Sequence, residues 1–245
     1  MITATVITLN EEEKIGNALK SLQRLADEII MVDSGSVDKT IEIAKKFGAK
    51  VFFRKFDNFA SQKNWAASKA RRNWILSLDA DEEIPKELAE EIRNAVKTNQ
   101  YEGFLIGRRN FILGKEIKYS RWSPDNHIWL WKKNKGKWVG DVHEEVLIEG
   151  RVGRLKNKKI HLSHRSVGEF IKSNDLYSSL EAQSLHSEGV KFSFWKTIWF
   201  AKFEFLLRFI YKLGFLDGLR GFILCYLMAI YKLTVWIKLW ELQKK

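Results

Sequence analysis

Two aspartates spaced two residues apart, Asp79 and Asp81, directly follow an apolar run in this 245-residue chain. The run, residues 74–78, is typical of a buried strand. Two hard carboxylate ligands at the carboxyl end of a strand are well placed to hold a divalent cation against a phosphorylated ligand. The same spacing also occurs in turns and helix caps, where acidic side chains accept backbone hydrogen bonds. Taken alone, the pair indicates either a metal site or ordinary turn chemistry.

Further acidic residues follow other predicted strands. Glu11 comes after a strand at residues 3–9, and Asp33 comes after a strand at residues 28–32. Because ligands bind at the carboxyl ends of parallel strands in open α/β sheets, convergence of these acids favours a binding site over separate turns. The chain has neither a Gly-x-Gly-x-x-Gly motif after the first strand nor a P-loop. A metal held by Asp79 and Asp81 is then the natural way to neutralise a diphosphate.

Strands and helices alternate in the first hundred residues, which predicts a parallel, three-layer α/β/α sandwich. Asn10 is the predicted N-cap of the first helix, and Gly48 is the predicted end of the second. Beyond Gly103, strands joined by irregular segments predict a mixed or antiparallel second half. The predicted strands span residues 3–9, 28–32, 50–53, 74–78, 103–112 and 127–132, and further helices span 61–70 and 86–98.

The net charge of +12 is concentrated at the carboxyl end, where residues 191–245 hold ten Lys/Arg and three acids. A basic surface implies an anionic partner. The single cysteine, Cys225, excludes an internal disulfide and fits a reducing compartment. No secretion signal is evident at the amino end. No run of 18 uncharged apolar residues occurs, and the longest candidate, residues 221–231, is too short to span a bilayer.

Residues 192–240 contain fifteen of the thirty-two aromatic residues, interleaved with Lys and Arg. Two tryptophan pairs, Trp195/Trp199 and Trp236/Trp240, are spaced four apart, so each pair shares a helical face. Tryptophan and tyrosine favour the headgroup level of a membrane, and basic residues attract anionic lipids. The tail therefore predicts interfacial membrane helices. A helical hairpin packed on the rest of the protein is one alternative, and single-stranded nucleic acid binding without a recognisable module is another.

Four motifs occur in one order: VITLNEE (6–12), VDSGSVDKT (32–40), QKN (62–64) and LDADE (78–82). Together they resemble the inverting glycosyltransferases of family 2, which have the GT-A fold. The closest subgroup is the bacterial lipopolysaccharide-core glucosyltransferase type, which residues 214–218 and the aromatic tail also resemble. The sequence departs from this subgroup at residues 128–131, where an arginine often precedes the apolar pair. The resemblance therefore implies no phosphate contact by that arginine in this chain.

The resemblance implies a donor and metal site. Glu11 and Asp33 match positions that hold the nucleoside, Asp81 is the expected direct metal ligand, and Asp79 lies nearer the ribose. His161 matches a histidine that completes the metal site, with His164 as the alternative. The cofactor implied is Mn²⁺ or Mg²⁺. The implied donor-binding residues are Asn10, Glu11, Asp33, Ser34, Lys63, Asp79 and Ala80, and the implied metal ligands are Asp79, Asp81 and His161.

An inverting displacement also needs a general base on the acceptor side. The segment GDVHEE (140–145) resembles the family's Val-His-Glu signature, with Glu144 as the expected base. Glu145 and Asp125 are alternatives, and His143 is expected to position the acceptor or the base. A solvated loop is the structural alternative for this segment.

These features predict an inverting glycosyltransferase that transfers a sugar from a UDP-sugar donor to a lipid-linked glycan such as the lipopolysaccharide core. The expected sugar is glucose. The predicted location is the cytoplasmic face of the inner membrane, peripherally on its anionic surface. Predicted domains are a GT-A catalytic domain, 1–190 (donor half 1–100, acceptor half 101–190), and a membrane-associating helical region, 191–245. No nucleic acid partner is expected.

Three alternatives remain for the function. The acceptor could instead be another polysaccharide or an undecaprenyl-linked glycan. Phosphatases of the haloacid-dehalogenase type also use Asp-x-Asp after a strand, but normally after the first strand, whereas here the pair follows the fourth. A non-catalytic membrane-associated adaptor is favoured only if the acidic residues that follow the predicted strands do not lie together at one edge of the sheet.

Overall fold

The computed structural model describes residues 1–140 and 144–244. The strands are β1 (Ile2–Thr8), β2 (Glu28–Asp33), β3 (Lys50–Phe53), β4 (Trp74–Asp79), β5 (Glu82–Glu83), β6 (Gly103–Ile112), β7 (Lys115–Ile117), β8 (Asn126–Lys132), β9 (Gly136–Val139), β10 (Glu145–Ile148) and β11 (Val152–Leu162). The α-helices are α1 (Ile15–Leu22), α2 (Thr40–Lys46), α3 (Phe59–Ser68), α4 (Lys86–Thr98), α5 (Val167–Ser187), α6 (Phe194–Leu206) and α7 (Gly218–Gln243). A π-helical turn, Leu207–Tyr211, and a 3₁₀ turn, Gly214–Asp217, lie between α6 and α7.

The chain divides into two compact units. The first comprises Met1–Arg109 and Asp125–Leu162, and the second comprises Asn110–Pro124 and Ser163–Lys245. The sequence predicts a different division, at residue 190, between a catalytic domain and a membrane-associating region. That division is defined by function, whereas the two compact units are defined by packing. It stays a prediction.

The large sheet of the first unit has the strand order β3-β2-β1-β4-β8-β6-β11-β5. Strands β3, β2, β1 and β4 run parallel, whereas β8 is antiparallel to both β4 and β6. Strands β1, β2 and β4 are buried almost throughout, as expected when both faces of a sheet are covered, whereas the edge strand β3 is partly exposed. The predicted α/β class with a mixed sheet is confirmed.

Register brings the ends of the parallel strands to one edge. Thr8 at the end of β1 pairs with Asp33 at the end of β2. On the other side of β1, Ile7 pairs with Asp79 at the end of β4. The predicted convergence of acidic residues is therefore built into the strand alignment.

Helix α1 differs from the prediction at its start. Its buried apolar face consists of Ile15, Ala18, Leu19 and Leu22. The helix begins at Ile15, and the predicted N-cap, Asn10, is wrong. Asn10 has a φ of 54°, in the left-handed region that asparagine tolerates, and its Oδ1 accepts the Val37 N–H at 2.9 Å. Its side chain therefore joins a neighbouring loop instead of capping α1.

The second unit is helical, with α7 packed against α5 and α6. One of its apolar clusters is formed by Ala182, Val235, Trp236 and Leu239. The first turn of α7 requires a glycine at position 221, because a Cβ there would lie 1.9 Å from the carbonyl oxygen of Gly214 in the preceding 3₁₀ turn. Close backbone contact at this turn fixes the start of the longest helix.

The segment Gly214–Gln243 is long and apolar enough, by length and composition alone, to cross a membrane, and about a third of its apolar window is buried (33%). The expectation that no such segment exists is therefore wrong. That expectation considered only uninterrupted stretches of uncharged apolar residues. The helix α7 continues past Lys232 with further apolar residues. A helix of this length offers a continuous apolar surface despite isolated charges.

Candidate functional site

The loop after β2 is organised by the Asp33 carboxylate. Its Oδ1 accepts the N–H groups of Gly35 and Ser36 at 2.9 and 2.8 Å, and its Oδ2 accepts the Ser36 hydroxyl. Gly35 has a φ of +110°, a conformation that L side chains rarely adopt. Asp33 is therefore buried inside its own turn, and its predicted contact with a donor base stays a prediction.

Two further predicted donor residues are tied to this loop region. The Asn10 N–H donates to Ser36 Oγ at 2.8 Å, and the Glu11 N–H donates to Thr40 Oγ1 at 2.8 Å. Ser34 lies on the other side, where its Oγ accepts the Gln62 amide of α3 at 3.0 Å. The structure thus brings four predicted donor-binding residues together around the loop after β2, where hydrogen bonds connect them: Asn10, Glu11, Asp33 and Ser34.

Lys63 on α3 links two acidic parts of the site. One is the turn after β4, residues 79–82, called the acidic turn below, and the other is the candidate base Glu144. Its side chain is buried, and its Nζ lies 3.2 Å from Asp79 Oδ1 and 2.8 Å from Glu144 Oε1. Burial alone would lower the pKa of Lys63, but the charges of Asp79 and Glu144 outweigh it and raise the pKa above its ordinary value. Lys63 is therefore a permanent cation between two carboxylates.

Asp79 is held as a carboxylate by surrounding cations. Burial would raise its pKa, but the charges of Lys63, Lys159 and Arg108 hold the pKa well below its usual range. Its backbone N–H donates to Glu82 Oε2 at 3.0 Å, which fixes the turn after β4. Between the two aspartates, Ala80 is buried.

Asp81 and His161 form a second contact in this turn. Strand β5 pairs with β11 so that His161 lies opposite Glu82, and the Leu162 N–H donates to the Asp81 carbonyl at 2.9 Å. His161 Nε2 lies 3.3 Å from Asp81 Oδ2. Burial would raise the pKa of Asp81, but the His161 charge and hydrogen bond lower it. The predicted ligand His161 is therefore beside the predicted ligand Asp81.

These two side chains fit one divalent cation. Two ligand atoms bound at ~2.1 Å and at right angles lie ~3 Å apart, close to the observed separation. Magnesium sites often use one or two carboxylates plus substrate phosphates. In residues 1–140 and 144–244, no group of three or more His, Cys, Asp or Glu side chains is placed to hold a metal. Asp79 instead faces Lys63 and Arg108, and His164 contacts Ser163 and Phe170 in the second unit.

Three charged residues at this site were not predicted: Glu82 and Lys159, which are buried, and Arg108, which is partly buried. The Lys159 ammonium lies 2.5 Å from Glu82 Oε2, and Arg108 Nε lies 3.0 Å from Glu82 Oε1. Burial lowers the pKa of Lys159 below its ordinary value despite its partner. Burial opposes the charge of Arg108, but Glu82, Asp79 and Asp125 raise its pKa. Strands β6 and β11 therefore add cationic charge to that of Lys63 on α3.

The acceptor-side candidates occupy different environments. Glu144 is partly buried against Lys63, whereas Glu145 is exposed on β10 opposite Val139. Asp125 Oδ1 lies 2.9 Å from His127 Nε2, and Asp125 Oδ2 lies 3.6 Å from Arg108 Nε. His143 lies outside the described residues. The geometry connects Glu144, rather than Glu145, to the acidic turn.

Comparison with known sequences gives consistent matches. A profile described as Glycosyl transferase family 2 matches residues 3–152. An uncharacterised glycosyltransferase of Rickettsia felis is 30% identical, with 91% of this chain and 83% of that protein covered. The lipopolysaccharide core biosynthesis glycosyltransferase LpsC of Rhizobium meliloti is 28% identical, with 98% of this chain and 92% of that protein covered.

Solved structures of glycosyltransferases share the fold. S. aureus TarS 1–349 in complex with UDP-GlcNAc has a TM-score of 0.50 at 17% identity, covering 95% of this chain and 81% of that chain. Glucosyl-3-phosphoglycerate synthase from Mycobacterium tuberculosis, in complex with Mn²⁺, UDP and phosphoglyceric acid, has a TM-score of 0.50 at 16% identity, covering 79% and 80%. These similarities confirm the predicted GT-A fold.

Proposed function

The chain belongs to glycosyl transferase family 2, and on that premise we propose that it is an inverting, metal-assisted transferase that uses a UDP-sugar donor. The observation that carries this proposal is the position of the Lys63 ammonium. It contacts both Asp79 of the acidic turn and the candidate base Glu144. Donor and acceptor functions must meet at one carbon atom in a single displacement. A cation joining the two acidic elements supports that arrangement.

Each residue has a proposed role in the displacement. Glu144 accepts the proton of the acceptor hydroxyl while the hydroxyl oxygen forms a bond to the anomeric carbon. The bond from that carbon to the diphosphate oxygen breaks, and its electron pair leaves with the nucleoside diphosphate. Lys63 and Arg108 lie at the acidic turn, where they can offset the charge on the leaving group. When bound by Asp81 and His161, Mn²⁺ or Mg²⁺ supplies further charge neutralisation for the diphosphate.

The donor and acceptor classes rest on the relatives. The fold neighbours named above were solved with UDP or UDP-GlcNAc, which supports a UDP-sugar as donor. The name of the LpsC relative supports a lipid-linked glycan acceptor such as the lipopolysaccharide core. We propose glucose as the sugar and the cytoplasmic face of the inner membrane as the place of transfer.

We expect UDP and Mn²⁺ to stabilise the protein together in a thermal-shift experiment. At ~100 times the dissociation constant a ligand adds ~2.7 kcal/mol, which corresponds to a rise of ~5–11 °C for a chain of this size. Asp81→Asn should lose the part of the shift that requires manganese, because it removes a charged metal ligand. An equal shift with EDTA present, or in Asp81→Asn, would contradict the metal site. Absence of any nucleotide-dependent shift would favour a non-catalytic adaptor.

For the second unit, we propose attachment to an anionic membrane surface. Large apolar side chains spaced three or four residues apart are exposed along α6 and the following turn: Trp195, Trp199, Phe203, Leu206 and Ile210. Exposed Lys196, Lys202 and Lys212 accompany them. A continuous exposed apolar stripe next to cations fits the boundary between acyl chains and anionic headgroups.

The double variant Trp195→Glu/Trp199→Glu should weaken binding to vesicles of phosphatidylglycerol and phosphatidylcholine at least ~10-fold, since it puts charge in place of aromatic area that the membrane would bury. Co-sedimentation measures the bound fraction. Leu176→Glu, on the exposed face of α5 in the same unit, is the matched control and should bind as the unmodified protein does. Equal binding by all three proteins would exclude the α6 stripe as the membrane contact.

A further inference from the structure

Trp129 on β8 is surrounded by cations. Its side chain is 4% exposed. The Lys159 ammonium lies 3.1 Å from the ring centroid, the Arg108 guanidinium carbon 4.7 Å, and the Lys63 ammonium 5.4 Å. These cations come from β11, β6 and α3, three separate parts of the first unit. One indole is therefore the common contact of cations that the chain order keeps far apart.

Each of the three cations also contacts a carboxylate of the site. Lys63 contacts Asp79 and Glu144, whereas Arg108 and Lys159 both contact Glu82. The cations thus lie between an aromatic ring and an acid. The negative face of an indole attracts a cation most strongly when both are removed from water, as Trp129, Lys63 and Lys159 are; Arg108 is partly buried. The ring therefore limits the positions that these long, flexible side chains adopt.

Trp131 provides an internal comparison. It lies two residues further along β8 and is 1% exposed, and its ring centroid is 5.8 Å from that of Trp138. Among the residues that the structure describes, no lysine or arginine lies over its ring. Both tryptophans fill the core, but of the two only Trp129 contacts the charged groups of the site. The Lys63 ammonium also lies 4.6 Å from the ring centroid of Trp138, whereas Arg108 and Lys159 lie over Trp129.

We propose that Trp129 is a positioning residue for the donor's diphosphate, acting through Lys63 and Arg108. The inference rests on the proposed function, because it assigns the diphosphate to the turn that contains Asp79. Lys63 and Arg108 are the cations that face Asp79. Because the indole holds them there before the donor arrives, less side-chain freedom is lost when the diphosphate binds. Lys159, fixed between Glu82 and the ring, braces the same arrangement.

The test is titration calorimetry of UDP, in the presence of Mn²⁺, with substitutions at both tryptophans. Trp129→Leu should weaken UDP binding at least ~10-fold, and Trp129→Phe, which keeps a weaker aromatic face, only ~2–5-fold. Trp131→Leu and Trp131→Phe should leave the dissociation constant within about twofold of the unmodified protein. Both leucine variants leave cavities and lower the melting temperature, so titrations are run well below it. If Trp129→Leu does not fold, the comparison between the two phenylalanine variants decides.

The possible outcomes are distinct. A graded loss of affinity from Trp to Phe to Leu at position 129 alone supports the positioning role. Equal losses at positions 129 and 131, or no loss at either, would overturn it, because the role of Trp129 would then be packing. If the unmodified protein does not bind UDP, the proposed donor is itself wrong and this inference falls with it. Binding by the unmodified protein that is unchanged in Trp129→Leu overturns only the positioning role.

Discussion

Replacing Glu144 by glutamine is expected to lower the rate of sugar transfer ~10²–10⁴-fold, the usual contribution of a general base. Glutamine keeps the size and a hydrogen-bond acceptor for Lys63, which retains its contact with Asp79. It cannot accept the proton of the acceptor hydroxyl. Affinity for UDP should therefore change little. Steady-state transfer rates and UDP titration of the same preparation separate the two effects.

Glu145→Gln is the matched control for this experiment. Glu145 is the next residue in the chain, but its side chain is exposed on β10. It should keep most of the activity. A fully active Glu144→Gln together with an inactive Glu145→Gln would move the base to Glu145. Full activity in both would direct attention to Asp125, which lies near Arg108.

Replacing Glu82 by methionine is expected to destabilise the protein by ~3–5 kcal/mol, because it leaves a buried cation without its partner. Lys159 is fully buried with its ammonium 2.5 Å from Glu82 Oε2, and Arg108 Nε lies 3.0 Å from Glu82 Oε1. For a chain of this length the melting temperature should fall by ~6–20 °C. The double variant Glu82→Met/Lys159→Met should recover much of that loss, since it removes the lysine charge together with its partner. Arg108 keeps Asp79 at 3.8 Å and Asp125 at 3.6 Å in this variant.

Glu83→Met is the matched control, because Glu83 is the other residue of β5 and its side chain is only partly buried. Its melting temperature should stay within ~2 °C of the unmodified protein, as for most surface substitutions. Equal effects at positions 82 and 83 would show that β5 itself, rather than the buried ion pair, determines the loss. A double variant less stable than Glu82→Met would contradict the charge argument.

Elements with a strong local pattern were predicted closely. The bounds of β3, α4 and β6 agree with the sequence prediction, because Gly48 lies just before β3, Pro85 precedes α4 and Gly103 begins β6. The start of α1 was missed because the left-handed conformation of Asn10 depends on the Val37 N–H of a distant loop. Strand β5 is two residues long and exists only by pairing with β11. Such contacts leave no local signal.

The site was only partly predictable for the same reason. The motifs contain Asp79, Asp81 and Lys63, and strand register brings Asp79 beside Ile7 of β1. No local pattern marks Arg108 or Lys159. A buried lysine in an alternating strand such as β11 resembles an ordinary polar position until its partner is known. The three cations around Trp129 are likewise a product of the fold.

The most direct test of the central claim is sugar transfer by the unmodified protein. Purified enzyme is incubated with radiolabelled UDP-glucose, Mn²⁺ and a membrane lipid extract, and label is measured in the lipid-linked glycan fraction. We predict incorporation that is lost with EDTA and in Glu144→Gln. Undiminished incorporation with EDTA would contradict metal assistance. Absence of incorporation from UDP-glucose and from every other nucleotide sugar tried would contradict the proposed transferase function.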